Sequence, residues 1–115
     1  MAFETPPPAY PVGKVETDFV TLHFALSGGF SSHYDMMVYG DETILDELYP
    51  HIITMVPNKD VKRKPDCLKV KVGSAGLYNA QIQFFKMLAS WGFTMKASNS
   101  LYVSQRPQFD FFFAR

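Results

Sequence analysis

The sequence of 115 residues contains only one cysteine, Cys67, and no long apolar run. One thiol cannot form a disulfide within the chain or supply a zinc site made of several cysteines. No stretch approaches the roughly eighteen apolar residues of a membrane-spanning helix. The first fifteen residues also lack the apolar core of a signal peptide. We therefore expect an intracellular, cytoplasmic protein with no transmembrane segment.

The chain also lacks a net charge, because 11 Lys and Arg residues balance 11 Asp and Glu residues. Specific nucleic-acid binding favours a basic excess, so we expect no such partner. The balance hides an uneven distribution: residues 1–57 carry −7 and residues 58–115 carry +7. Either the two halves interleave in the fold, or the molecule has an acidic face and a basic face that orient it toward a charged partner.

The apolar content, 47% of residues, predicts a packed core of single-domain size. Residues 1–16 are rich in proline, which fixes φ and favours an extended polyproline conformation. We therefore expect an extended N-terminal arm over residues 1–16 and one compact domain over residues 17–115.

Hydrophobic periodicity predicts seven strands and two helices in that domain. The predicted order is β-β-α-β-β-α-β-β-β, an α+β domain with a mainly antiparallel sheet of five to seven strands. The first helix is expected to end at Pro50, and the second to cover residues 77–91 before a cap at Gly92. The predicted strands are residues 17–26, 34–39, 51–56, 67–72, 93–97, 101–104 and 109–114. The residues expected to be largely buried are Leu22, Phe24, Val70, Phe85, Leu88 and Trp91.

The most specific short motif is Pro7-Pro8-Ala9-Tyr10, which matches the Pro-Pro-x-Tyr ligand of WW domains. A preformed polyproline turn lays its rings in an aromatic groove, and the tyrosine fills a neighbouring pocket. At Pro7, Pro8 and Tyr10 the leader also resembles the late-budding motifs of small viral matrix proteins. That resemblance implies an adaptor or viral structural protein that recruits WW domains, in which case the protein would belong to a viral particle.

A second resemblance rests on Gly40-Asp41-Glu42, on Glu47-Leu48 and on a helix that leads into Gly92-Phe93. The order of these pieces is similar to that in the feedback regulatory protein of GTP cyclohydrolase I. The resemblance implies a small antiparallel-sheet protein that assembles into a ring and caps its enzyme.

Few residues indicate chemistry. None of the three histidines has metal-ligand spacing to another histidine or to Cys67, so we predict no metal site, no catalytic residues and no cofactor. Gly73, Ser74 and Gly76 precede a predicted helix, whose free backbone amides could bind an anion. The alternative for these three residues is a flexible connection between a strand and a helix.

The C-terminal sequence Phe109-Asp110-Phe111-Phe112-Phe113 predicts a strand with phenylalanine on both faces. If Phe109 lies on the core face, Phe112 points away from it, and an exposed aromatic patch of this kind marks an interface. We therefore expect a non-enzymatic subunit of a homo- or hetero-oligomer, with Phe109 and Phe112 among its partner-binding residues. A small ligand-binding domain is the remaining alternative.

Overall fold

The computed structural model describes residues 15–27, 33–56, 60–104 and 106–115. Within them the chain forms six strands and two helices in the order β-β-α-β-β-α-β-β, which confirms the α+β class. The strands are β1 (Phe19–Ser27), β2 (His33–Tyr39), β3 (Val61–Arg63), β4 (Cys67–Gly73), β5 (Thr94–Val103) and β6 (Arg106–Ala114). The helices are α1 (Glu42–Met55) and α2 (Leu77–Ser90).

All six strands form one antiparallel sheet in the order β3-β4-β2-β1-β6-β5. Alternate residues of each strand point to opposite faces, as the strand period of two requires. One face, here called the helix face, carries the apolar residues that the helices cover. The other, the open face, has no element of the described residues packed on it.

The helix face of the inner strands builds the core. It contributes Val20, Leu22 and Phe24 from β1, and alternate residues from β2 and β4, all of them buried. The helices add Leu45, Leu48, Ile52, Phe84 and Leu88, which are also buried. The predicted inward face of the first strand is therefore confirmed.

Helix α1 corrects the prediction for residues 51–56, which are helical up to Met55 instead of forming a strand. Pro50 lies inside the helix on its exposed side. Proline normally weakens a helix interior because it removes one hydrogen-bond donor. Here the apolar stripe of Leu45 and Leu48 continues to Ile52, which is fully buried, so tertiary packing overrides the local signal.

Two further boundaries differ from the prediction. Val61–Arg63, expected in a polar loop, forms a short edge strand because Val61 is buried opposite Val70 on β4. Residues 93–97 and 101–104 were expected as two strands but lie largely within the single strand β5. Ser98, Asn99 and Ser100 pair with β6 instead of turning. An edge strand has only one neighbour, so polar residues in it stay solvated and do not break it.

Helix α2 buries a different stripe from the one its sequence suggests. Leu77, Phe84 and Leu88 face the core, whereas Phe85 and Trp91, which were expected to be largely buried, are only partly buried at its margin. The buried stripe also contains a polar residue, Gln81, and this interruption hides the true helical phase. Within the described residues the Gln81 Nε2 atom has no hydrogen-bond partner.

The C-terminal end of α2 has the predicted glycine cap. Gly92 adopts a φ of 88°, a conformation that residues with a Cβ rarely adopt. Its amide donates to the carbonyl of Ala89, and the Phe93 amide donates to the carbonyl of Leu88. This pair of bonds is the Schellman arrangement, and it turns the chain from α2 into β5.

Arg115 joins the sheet to both helices. Its guanidinium donates to Asp18 at 2.8 Å, to Glu47 on α1 at 2.9 Å and to the carbonyl of Trp91 at 2.8 Å. It also lies 4.5 Å from the centre of the Phe93 ring. One charged side chain therefore holds the start of β1, helix α1 and the end of α2 together.

Candidate functional site

The outer strand β5 is the most unusual surface of the molecule. All ten of its residues are exposed, and its only neighbour in the described sheet is β6. An edge strand presents unpaired backbone N–H and C=O groups to any further strand. Natural edges are commonly protected by charge, but β5 carries only one charged residue, Lys96, next to a bulge between Met95 and Ala97. Most of its length is therefore open for pairing.

An aromatic row crosses the open face at the end of the sheet nearest Ala114. The register places Phe112 beside Thr21, Thr21 beside Tyr39, and Tyr39 beside Cys67. The exposed fractions of Phe112 and Tyr39 are both 39%, and that of Phe19 at the same end is larger. The open face therefore exposes several large apolar side chains, whereas the helix face of the same inner strands is closed.

The expected facing of the C-terminal strand agrees with the structure. The Phe111 ring packs edge-on against Phe24 and Phe85, and Phe113 is buried. Phe109 lies on the same helix face, with its ring centre 6.2 Å from that of Tyr34. Phe112 lies on the opposite, open face. Binding of a partner by Phe109 or Phe112 stays a prediction.

The middle of the open face carries polar pairs. His23 Nδ1 lies 2.5 Å from the Asp110 carboxylate on the neighbouring strand. His33 Nε2 lies 3.3 Å from Asp35, two residues along β2. Each histidine thus has a carboxylate partner that orients its ring.

A charged depression of about 280 Å³ lies at the β3 end of this face. Asp35 is its centre, because both His33 and Lys69 approach that carboxylate, Lys69 at 3.9 Å. The depression is lined by His33, Asp35, Asp60, Lys62, Lys69 and Lys71. Charges of both signs line it, so it lacks the one-sided charge of an anion site.

Cys67 is buried opposite Tyr39. Burial raises the pKa of its thiol, and the neighbouring Asp66 raises that pKa further. Lys64 and Arg63 lower the pKa, but by a smaller amount. A catalytic thiol needs a lowered pKa, so the surroundings of Cys67 act against this role.

The predicted anion site is a connection between β4 and α2. Gly73 ends β4, and a 3-10 turn, Ser74–Gly76, leads into the first residue of α2. A Cβ at Gly73 or at Gly76 would meet no atom within 4 Å, so neither position requires glycine for space. Anion binding at Gly73, Ser74 and Gly76 stays a prediction. The side chain of Ser74 lies outside the described residues.

Pro7, Pro8 and Tyr10 also lie outside the described residues, as does most of the predicted arm. Recruitment of WW domains and the extended form of residues 1–16 therefore stay predictions.

The acidic and basic halves of the chain form ion pairs with each other in the fold. Every ion pair of a lysine or arginine among the described residues joins the acidic half to the basic half. Examples are Arg63 with Asp46, and Lys96 with Glu16. The interleaved arrangement is thus the one observed for these charges, and the separation along the sequence is not a separation in space.

Sequence reasoning missed the two features that define this surface. It did not find β5 as one long edge, because Ser98, Asn99 and Ser100 resemble a turn. It also did not pair His23 with Asp110, which lie 87 positions apart along the chain. The strict alternation of β1 carried a usable signal, since it places His23 opposite the core face.

Two broader features are absent from the described residues. No helix there is both long enough and apolar enough to cross a bilayer. No three His, Cys, Asp or Glu side chains in the described ranges are grouped to hold a metal ion.

Comparison with known proteins yields a shared fold. No model of a known protein family matches the chain, and no curated protein matches it. Among solved structures, a conserved kinetoplastid-specific protein from Trypanosoma cruzi is similar, with a TM-score of 0.64 and 16% sequence identity. The match covers 85% of this chain and 95% of that one. At this identity the similarity shows the fold alone, and the likeness to the GTP cyclohydrolase regulator and to viral matrix proteins stays a prediction.

Proposed function

We propose that this protein is a non-enzymatic assembly subunit in which β5 pairs, antiparallel, with β5 of a second copy. The observation that supports the proposal is the ten-residue edge strand, exposed along its whole length and almost uncharged. Two such edges would join into one continuous sheet of twelve strands. A twofold axis closes this arrangement and leaves no further edge of the same kind.

The sequence of β5 is compatible with pairing to itself. A twofold axis perpendicular to the sheet keeps each face on its own side, so residues of like facing must lie opposite one another. Centred on Asn99, the pairing places Ala97 opposite Leu101 and Lys96 opposite Tyr102 of the partner subunit. The two Lys96 ammonium groups then lie six residues apart, about 20 Å, so like charges do not meet.

The open face contributes apolar area to the same interface. Within one copy, Phe112 on β6 lies beside Ala97 on β5. The small Ala97 separates Phe112 from Leu101 of the partner subunit, so the ring can extend over it. In the free subunit Phe112 and Leu101 remain partly exposed, at 39% and 41%. Covering them supplies a hydrophobic contribution in addition to the backbone hydrogen bonds.

Cross-linking tests both the pairing and its centre. In the Asn99→Cys variant the two thiols would lie directly opposite, with Cα atoms about 4.5–5.5 Å apart, which suits a disulfide. Met95→Cys is the matched control on the same strand, because its two copies would lie eight residues apart, about 27 Å. The native Cys67 is buried. We expect mild oxidation to yield a covalent dimer of the first variant and not of the second.

Sedimentation velocity provides the non-covalent measurement. Leu101→Lys should raise the dissociation constant at least about tenfold, since it adds a charge to the paired edge. Ile82→Lys is the control, because Ile82 on α2 is similarly exposed but lies away from the edge. A wild-type chain that stays monomeric at all concentrations, or equal cross-linking of the two cysteine variants, would contradict the proposal.

A further inference from the structure

A groove on the helix face lies beyond the reach of the two helices. It has a volume of about 460 Å³ and is lined by Ser98, Asn99, Ser100, Phe109 and Phe111. We call it the β5 groove. Helix α2 covers Phe113, which is buried, but leaves Phe109 and Phe111 only partly covered. The groove is therefore a place where the core ends and its aromatic residues meet solvent.

One tyrosine contacts the lining of the groove, and another follows the groove along β5. The buried Tyr34 packs against Phe109. Tyr78 on α2 and Tyr102 on β5 are 72% and 76% exposed. Burial raises the pKa of Tyr34, and Tyr78 and Tyr102 raise it further. Exposed aromatic rings beside serine hydroxyls resemble the surfaces that bind polyproline segments, where rings stack and hydroxyls bond to free carbonyls.

The described chain begins beside this groove. The Glu16 carboxylate lies 2.6 Å from the Lys96 ammonium group on β5. Ser98, in the groove, is only two residues further along the same strand. Glu16, near the start of the described chain, is therefore held to the strand that lines the β5 groove.

The length of the preceding chain matches the groove. Residues 6–11, here called the proline segment, contain four prolines and the tyrosine Tyr10. At about 3.1 Å per residue, they lie within roughly 16 to 31 Å of Glu16 along the chain. The groove residues of β5, Ser98 to Ser100, lie two to four residues beyond Lys96 along the strand, roughly 7 to 13 Å. The proline segment can thus reach the whole groove.

We propose that the proline segment docks in the β5 groove of its own chain. A tethered ligand acts at an effective concentration in the millimolar range, so even weak contacts are populated. Prolines also lose little conformational freedom on binding, because their φ is already fixed. The proposal goes beyond edge pairing: it uses the helix face of β5 and β6 and requires only one copy.

A spin label in the proline segment measures the docking directly. Ala9→Cys places the label between Pro8 and Tyr10, and the unsubstituted chain, with only the buried Cys67, is the blank. In nuclear magnetic resonance spectra of the full chain, the amide signals of Ser98 and Ser100 should lose most of their intensity. The signal of Lys62, at the far edge of the sheet, should keep its intensity.

Two matched variants test whether the groove is responsible. Tyr102→Ala removes an exposed ring that follows the groove, two residues beyond Ser100 on the same face of β5, and should restore the signals of Ser98 and Ser100. Val103→Ala changes the next residue on the opposite face and should leave the broadening in place. Because both side chains are exposed, 76% and 45%, neither change should unfold the domain.

Mixing experiments identify the occupant. In the Leu101→Lys background, where edge pairing is weakened, spin-labelled chains without isotope enrichment are mixed with nitrogen-15 chains that carry no spin label. Broadening of the nitrogen-15 signals would then mean that the segment of a second copy fills the groove, and would overturn docking within one chain. Unaffected Ser98 and Ser100 signals, or broadening that survives Tyr102→Ala, would overturn it as well. None of these outcomes bears on the cross-linking of Asn99→Cys, so this proposal and the proposed edge pairing fail separately.

Discussion

Two neighbouring phenylalanines on β6 should respond oppositely to the same substitution. Phe113 faces the helices and is 4% exposed, whereas Phe112 faces the open side and is 39% exposed. We expect Phe113→Ser to lower the free energy of unfolding by about 3–5 kcal/mol, because it leaves a cavity in the core. We expect Phe112→Ser to reduce it by only about 1–2 kcal/mol, since roughly three-fifths of that ring is already covered and full burial of a phenylalanine is worth about 1.5–3 kcal/mol.

The effect on assembly should be reversed. A second copy would cover the remaining two-fifths of Phe112, about 0.6–1.2 kcal/mol in each subunit by the same estimate. The dimer contains two such rings, so Phe112→Ser should weaken association by about 1.2–2.4 kcal/mol, which is roughly 8- to 60-fold in the dissociation constant. Urea unfolding, followed by fluorescence of the single tryptophan, Trp91, gives the first quantity. It should be done at low protein concentration, because dimerisation would otherwise stabilise the fold.

Sedimentation equilibrium of the Phe112→Ser variant gives the second quantity. If this variant loses as much stability as Phe113→Ser, then Phe112 is an ordinary core residue and the assigned facing is wrong. If it associates as tightly as the wild type, the open face contributes nothing to the interface. Edge pairing by β5 would then depend on backbone hydrogen bonds alone.

Four further results are expected. Leu88→Ala should cost about 2–5 kcal/mol in urea unfolding and Ile82→Ala less than about 1 kcal/mol, because only Leu88 is buried; equal losses would refute the observed helix phase. Gln81→Met should raise the unfolding free energy by about 1 kcal/mol, since it removes a buried donor that lacks a partner; a loss of stability would mean that the amide is satisfied. Arg115→Ala should lower the free energy of unfolding by about 1–3 kcal/mol, and the loss is limited because the ion pairs of Arg115 are partly exposed. Arg115→Lys should recover only part of this loss, because one ammonium group cannot replace three separate contacts. Association measured by sedimentation should change little as salt rises from about 0.05 to 0.5 M, because Lys96, the only charge on β5, is already paired within its own chain; a strong loss would indicate steering by charge.

The part of the fold that followed from the sequence rests on strict alternation. The pattern of β1, with Leu22 and Phe24 inward, has a single physical solution, because a shift by one residue would expose the core. Gly92 was equally informative, since a helix that must reverse direction needs a residue tolerant of positive φ. Both signals depend only on residues close together in the sequence, so they can be recognised without the tertiary structure.

The wrong predictions concern positions where a contact with a residue distant in the sequence determines the secondary structure. Pro50 should end α1, but the burial of Ile52 against the sheet outweighs the lost hydrogen bond. The polar residues of β5 should turn, but β6 supplies a partner for each of them. The candidate site depends on the same long-range information. Phe112 could be placed on the open face from its own strand, whereas the exposure of the β5 edge depends on the strand order.

The two ends of the sheet differ in how many of their polar groups and aromatic rings already have partners. At the β3 end the helices close the core, and on the open face Asp35 is shared by His33 and Lys69. At the β5 end no described strand pairs with the outer backbone edge, the aromatic row on the open face is half exposed, and the described residues do not cover the groove on the helix face. Unpaired backbone and exposed rings both favour further contact, and they coincide at one strand. A second β5 would pair with the edge, and the proline segment would cover the groove. Because the two use different sides of the strand, one subunit can bind both at once.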